Sequence, residues 1–299
     1  MINSAGLITG WRARVDARND LIMEHYPLRY EGCDKKYEFV RITSETFRTA
    51  FRPKDWLLIT AGFHGNEKSG PLTILEKLPE IVAATHGQGL GLIIYPLINP
   101  VGFDADQRYG PDGRGLEGHG NNDFLRYVLE DGRVVDDLGD ARDGLNFVSW
   151  RPASQFPNDP RPIETVRLHA CVDYDMKHLG RIVGSIDLHQ DPFLLGPASY
   201  HYGLGNKLPL YADIVSKVES VVGRIFRNAV VDSGESSPAV SDGNGCVERH
   251  DGSISDYLHR LGVPHTVVVE TTCDTPIEKA VEANMIWIRG IIELTVQEK

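Results

Sequence analysis

Residues 55–70 read DWLLITAGFHGNEKSG. Leu57, Leu58, Ile59 and Thr60 make an apolar run of strand length, and Ala61-Gly62 ends it. His64 and Glu67 then fall three residues apart in a glycine-containing turn, before Ser69 and Pro71 open a helix. An imidazole and a carboxylate this close, on a tight turn after a strand, can reach one small cation together. A surface turn can also hold such a pair by coincidence, so the reading depends on whether the rest of the chain completes a site.

Outward from that stretch, residues up to about Lys36 show no clear period and read as an irregular lead-in. Residues 37–42 (YEFVRI) alternate apolar and polar side chains, the pattern of a half-buried strand near a sheet edge. From Pro71 onward, Leu72, Ile74, Leu75, Leu78, Ile81 and Val82 recur at helical spacing, with Ser69 as the expected N-cap and Pro71 in the first turn. Residues 90–98 (LGLIIYPLI), 181–188 (RIVGSIDL) and 264–269 read as further buried strands. Helices are expected over residues 163–179, 211–226 and 277–296, with a short one capped by Ser253. The glycine- and aspartate-rich stretches 101–159 and 232–251 read as long functional loops. Strands alternating with helices predict an α/β sandwich with a mixed, largely parallel central sheet, as one domain over residues 1–299.

Composition narrows the function. The 299 residues are 41% hydrophobic and 24% charged, ordinary for a globular protein with a substantial core. A formal net charge of −11 argues against nucleic acid or an anionic membrane surface as the main partner. Four scattered cysteines without a CxxC pair suit reduced thiols, and the N-terminus lacks the design of a signal peptide. No apolar run approaches a membrane span, so the expectation is a cytoplasmic, enzyme-sized domain of unspecified oligomeric state.

Polar groups collect where these strands end. His64 and Glu67 follow the first buried strand, Asn99-Pro100 and then Arg108 the second, His189 the third, and Glu270 the fourth. In open α/β sheets ligands bind outside these carboxyl ends. Two histidines, one carboxylate and an open fourth position form the His₂Glu set by which catalytic zinc binds and activates water. Glu270 is then free to act as general base and later as acid to the leaving amine, or else is a strand-end carboxylate in solvent. Asp187, two residues before His189, can orient that ligand through a hydrogen bond, or is a charge at a strand end. His86, His119, His169, His178, His201, His250, His259 and His265 show no comparable convergence.

The ordered set HGNE, INP, IDLHQD and VVVET resembles the zinc carboxypeptidase superfamily, including its succinylglutamate desuccinylase and aspartoacylase branch. The resemblance runs from about Trp56 to Pro276. It implies a three-layer sandwich whose mixed, largely parallel sheet is flanked by helices, with one zinc ion per chain held by His64, Glu67 and His189, and Glu270 as general base. Residues 252–263 resemble the segment preceding that glutamate in the peptidases. Arg108 resembles the arginine after Asn-Pro that polarises the scissile carbonyl in the acylase branch, and Arg114 is the alternative, placed later in the loop as in peptidase members. The chain departs from the family at the Asn-Arg pair that grips a terminal carboxylate: the nearest matches surround Asn122 and Asn146, and neither contains the arginine. Where peptidases carry a tyrosine, the chain reads Val247-Glu248-Arg249-His250. Only one helix follows Glu270, which favours a peptidase-like single domain over the acylase branch. The resemblance thus implies hydrolysis of an amide bond in a small peptide. The alternatives are an N-acyl amino acid deacylase and a catalytically inactive binding protein that keeps the fold.

Overall fold

The computed structural model describes residues 2–30, 33–47, 49–110, 121–140, 146–156, 161–205, 207–232 and 238–297. Its centre is an eight-stranded sheet formed by β1 (Leu21–Leu28), β2 (Tyr37–Ser44), β3 (Asp55–Ala61), β4 (Gly91–Tyr95), β5 (Arg181–Asp191), β6 (Ser199–Gly203), β7 (Cys246–Val247) and β8 (His265–Thr272). The strand order is β1-β2-β4-β3-β5-β8-β6-β7. The central strands β4, β3, β5 and β8 are mutually parallel, while β1, β2 and β6 pair antiparallel with their neighbours. The sheet is therefore mixed, and its four parallel strands end at one edge.

Side-chain alternation along each strand builds the layers. Leu57, Ile59 and Ala61 of β3, Leu92 and Ile94 of β4, Ile186 and Leu188 of β5, and Val267 and Val269 of β8 point to one face. There they meet α1 (Ser4–Asp16), α2 (Ser69–Gly87), α5 (Ala212–Val222) and α7 (Ile277–Gln297). Trp56, Leu58, Ile93, Tyr95 and Ile182 point to the other face, against α4 (Ile163–His178) and α6 (Ile254–Arg260). A short helix, α3 (Pro100–Ala105), follows β4. Helices on both faces of one sheet make the expected three-layer sandwich.

The departures from the sequence reading have local causes. The expected irregular lead-in is α1 and β1: Asn3 caps the helix by accepting from the Gly6 N–H, and Leu7, Ile8, Trp11 and Val15 are buried. Pro27 is tolerated because β1 is an edge strand. Ser69 is the first residue of α2 rather than its cap, with Lys68 at the cap position and no side-chain cap bond. The stretch taken as one long loop after Val101 holds α3 and a three-stranded sheet of Leu125–Leu129, Val134–Val135 and Phe147–Pro152. β5 and β8 run past their expected ends, to Asp191 and Thr272. His189 and Glu270 thus lie within strands rather than beyond them, which fixes their facing by the pleat.

Candidate active site

The pleat that sends Ile186 and Leu188 to one face sends Asp187 and His189 to the other. The same alternation in β8 sends Glu270 opposite Val267 and Val269. In the parallel register Glu270 lies directly beside His189, and Thr60 beside Asp187. Two neighbouring strands thereby deliver an imidazole and a carboxylate side by side.

His64 and Glu67 reach the same place through the turn after β3. Gly62 leaves the strand at φ 68, a conformation that favours glycine. At Gly65 a Cβ would sit 2.0 Å from the carbonyl carbon of Gly102 and 2.3 Å from the Phe103 nitrogen, so no larger residue fits. The turn is pinned by the Gly65 N–H donating to the Arg108 carbonyl at 3.1 Å, and Asn99 Nδ2 donates to the same oxygen at 3.1 Å. Gln190 ties the turn to β5: its backbone N–H donates to Glu67 Oε2 (3.1 Å), and its side-chain oxygen accepts from the Ser69 N–H (2.7 Å).

One donor atom each from His64, Glu67 and His189 lies within 4.8 Å of the others, the metal-capable group found among the described residues. His64 Nδ1 is 2.7 Å from Glu67 Oε1. His189 Nε2 is 2.9 Å from Asp187 Oδ2. A carboxylate can only accept, so Nε2 carries a hydrogen, and Nδ1 is the ring nitrogen left for an ion. That Nδ1 lies 2.9 Å from Glu67 Oε2, yet it is buried without a hydrogen-bond partner. An orphaned, buried imidazole nitrogen facing a carboxylate is what a metal ligand looks like without its ion. The donor set fits zinc: two imidazoles, one carboxylate, and room for a further ligand.

Asp187 is held from three sides, because Thr60 Oγ1 donates to Oδ1 (2.8 Å), Asn122 Nδ2 to Oδ2 (3.1 Å), and His189 to the same Oδ2. Phe63 stacks on the His189 ring at 5.8 Å and 10°.

Charge follows this geometry. Burial holds the His64 imidazole down to about 4, against the opposing pull of Glu67. Burial alone would raise Glu67, but His64 and His189 outweigh it and hold the carboxyl below its usual range. Burial would lower His189, but Asp187 and Glu67 raise it well above the ordinary value. A dication would satisfy the same carboxylates as that proton. Burial, reinforced by Glu67 and Asp191, pushes Glu270 well up, with His189 and Arg108 opposing. Glu270 Oε2 is buried without a partner.

A cavity of about 260 Å³ opens over the cluster. His64, His189, Glu270, Arg108 and Asn122 line it. Arg108 Nη1 donates to Glu67 Oε1 (2.8 Å) and its Nε to the Tyr109 hydroxyl (3.3 Å). Asn122 is engaged at both ends of its amide, because Oδ1 accepts from the Ile254 N–H (2.8 Å), and so it braces Asp187. Asn146 lies exposed just before the Phe147–Pro152 strand and does not line the cavity. Arg114 and His119 fall outside the described residues. The sequence reading missed Gln190, Asp137, Tyr202 and Asp251, which reach the site by loop paths or neighbouring strands that no short motif marks.

No family model matches the chain, and no curated protein matches it. Solved structures do. A candidate metallopeptidase from Shewanella baltica OS155 superposes with a TM-score of 0.66 at 19% identity, over 97% of this chain and 91% of that one. A metallo-carboxypeptidase from Burkholderia cenocepacia gives 0.60 at 13%, over 99% and 70%. Bovine thrombin-activatable fibrinolysis inhibitor, solved with tick carboxypeptidase inhibitor, gives 0.59 at 13%, over 100% and 99%. At these identities the likeness is one of fold: the chain has the metallocarboxypeptidase fold. Among the described residues, no helix is long and apolar enough to cross a membrane.

Proposed function

We propose that the chain is a zinc-dependent hydrolase cleaving an amide bond in a small peptide, with residues 1–299 forming one cytoplasmic catalytic domain and one zinc ion per chain. The observation that carries this is the convergence of His64, Glu67 and the orphaned His189 Nδ1 beside Glu270 in one cavity. His64, Glu67 and His189 would hold the ion, and Asp187 fixes the His189 tautomer. Zinc supplies a Lewis acid that makes water nucleophilic near neutral pH and polarises a carbonyl. Beside a dication, Glu270 is drawn back to its carboxylate form despite burial. Its Oε2 then takes a proton from the attacking water and returns it to the leaving nitrogen. The Arg108 guanidinium keeps Nη2 for the oxygen that gains charge, while Nη1 and Nε hold it in place on Glu67 and Tyr109.

Purified protein should contain about one zinc per chain. Glu270→Gln should keep that metal while hydrolysis falls about 10²- to 10⁴-fold, the usual contribution of a general base. Undiminished turnover in that variant sinks the mechanism. A second reading, an N-acyl amino acid deacylase, is favoured by Arg108 sitting directly on Glu67 soon after Asn99-Pro100. Turnover of acylated amino acids against free and C-terminally blocked peptides separates the two.

A further inference from the structure

We propose that Lys68 is a positioning residue for the metal cluster: its ammonium ties the turn carrying His64 and Glu67 to α3, so that both ligands and Arg108 are set before an ion binds. The inference rests on the metal site of the proposed function, and its test reads metal affinity and a metal-free property of Lys68 rather than turnover.

Local chemistry disfavours a lysine at this position. Lys68 stands at the N-terminal cap of the 19-residue helix α2, where short polar side chains are preferred because they accept from free backbone N–H groups. A cation there faces the positive end of the helix dipole, and the first turn of α2 contains no acidic residue to offset it. A residue that breaks a local rule is expected to be compensated elsewhere, most often at a functional site.

The compensation lies at Nζ. It donates to the Gly65 carbonyl at 2.7 Å and to the Phe103 carbonyl at 2.8 Å, and it lies 3.0 Å from Asp106 Oδ1. It also sits 4.0 Å above the centre of the Phe103 ring. Three oxygens thus match the three hydrogens of the ammonium. They come from two elements: Gly65 belongs to the ligand turn, whereas Phe103 lies in α3 and Asp106 caps its C-terminus. The two backbones already touch, since Gly65 has no room for a Cβ against Gly102. Carbonyl oxygens drawn to one point carry like partial charge, which the ammonium offsets. The Asp106 carboxylate is mostly exposed and adds little, so the carbonyl contacts carry the tie. Two residues beyond Asp106, the Arg108 carbonyl accepts from the Gly65 N–H while its Nη1 donates to Glu67. One ammonium therefore seats both the ligand turn and the loop that presents Arg108.

Lys68→Met keeps an unbranched apolar stem and removes the cation. Chelator competition should show zinc binding about tenfold weaker in this variant, at the lower end of what groups outside the ligand set contribute. Its thermal midpoint is recorded to show that it is folded. Asp106→Asn tolerates the left-handed backbone found at φ 55 and should bind zinc within about twofold of the native protein. In the native protein near pH 7.5, acetic anhydride should acetylate Lys68 at least about fivefold more slowly than the exposed Lys217, read by mass spectrometry, because the amine reacts only after its contacts open. Equal labelling of the two lysines overturns the proposal without requiring any variant. A folded Lys68→Met with native zinc affinity overturns the positioning role, and an equal loss in Asp106→Asn overturns the assignment to the carbonyl contacts. The two readings fail separately: a native protein that takes up no zinc removes the metal site and this inference with it, whereas zinc bound equally with and without the Lys68 ammonium removes this inference alone.

Discussion

Two clusters of buried charge sit on the same face of the sheet, and they behave in opposite ways. One is the His64, Glu67, Asp187 and His189 group at the strand ends. The other is Arg41 of β2 with Asp175 of α4, Tyr95 of β4 and Glu24 of β1. In the second cluster every charge is answered: Arg41 donates to both oxygens of Asp175, Nε at 3.1 Å, and to Glu24, while the Tyr95 hydroxyl donates to Asp175. Burial would lower the Arg41 guanidinium, yet Asp175 outweighs it and raises it. Burial, with Asp175 beside it, raises the Tyr95 hydroxyl. Perturbed titration is thus common to both clusters and does not separate them. What separates them is completeness. Both border a cavity, but the first leaves His189 Nδ1 and Glu270 Oε2 buried without a hydrogen-bond partner, whereas in the second Arg41, Asp175 and Tyr95 answer one another. A complete network holds elements together; an incomplete one awaits a ligand.

The contrast can be broken by experiment. Asp175→Ala strips the structural cluster of its acceptor and leaves Arg41 short of its main partner. It should cost about 3–5 kcal/mol in urea unfolding while zinc content stays unchanged. A loss of metal there would mean that the two clusters are not separate. His201, on β6 against Trp287 at 4.8 Å, tests a histidine whose titration is governed by burial. Burial holds it down to about 4, with Asp242 opposing weakly. Its folded value lies below the ordinary 6.5, so the unfolded chain takes up the proton first. Its contribution is complete above about pH 6.5 and is lost progressively as pH falls toward 4, by up to about 3 kcal/mol. Unfolding at pH 7 and pH 4.5 should show this loss in the native chain and a smaller one in His201→Phe. The smallest effect is expected at the brace of the metal cluster: Asp187→Asn should weaken zinc affinity about 10- to 100-fold, measured by chelator competition, with the fold kept.

Legibility in the sequence followed the same division. The convergence of His64, Glu67 and His189 beside Glu270 could be read because these residues stand at or near the ends of apolar runs: HGNE after LLIT, and the histidine and glutamate in IDLHQD and VVVET. Parallel packing of those runs suffices to bring their ends together. The Arg41–Asp175 pair was invisible, since an arginine in an alternating strand and an aspartate in a helix carry no mark of mutual contact. Helix α1 was missed because glycines at positions 6 and 10 and a largely polar surface weaken its period, and packing of Trp11 and Leu7 overrides local preference. Strand β6 was missed because SYHYG carries two tyrosines and a histidine where an apolar run was sought. Asp251 depended on the course of a loop between short strands, which spacing cannot supply.

The contact at Gly65 bears on the order in which the protein matures. The turn carrying His64 and Glu67 closes only against Gly102 and Phe103, and its third partner, His189, arrives on a strand over a hundred residues later in the chain. His64 and Glu67 contact each other within the turn, but His189 cannot join them before β3 and β5 lie side by side. An ion held by all three would therefore load after the sheet has assembled, and under the proposed function its uptake would report on finished tertiary structure.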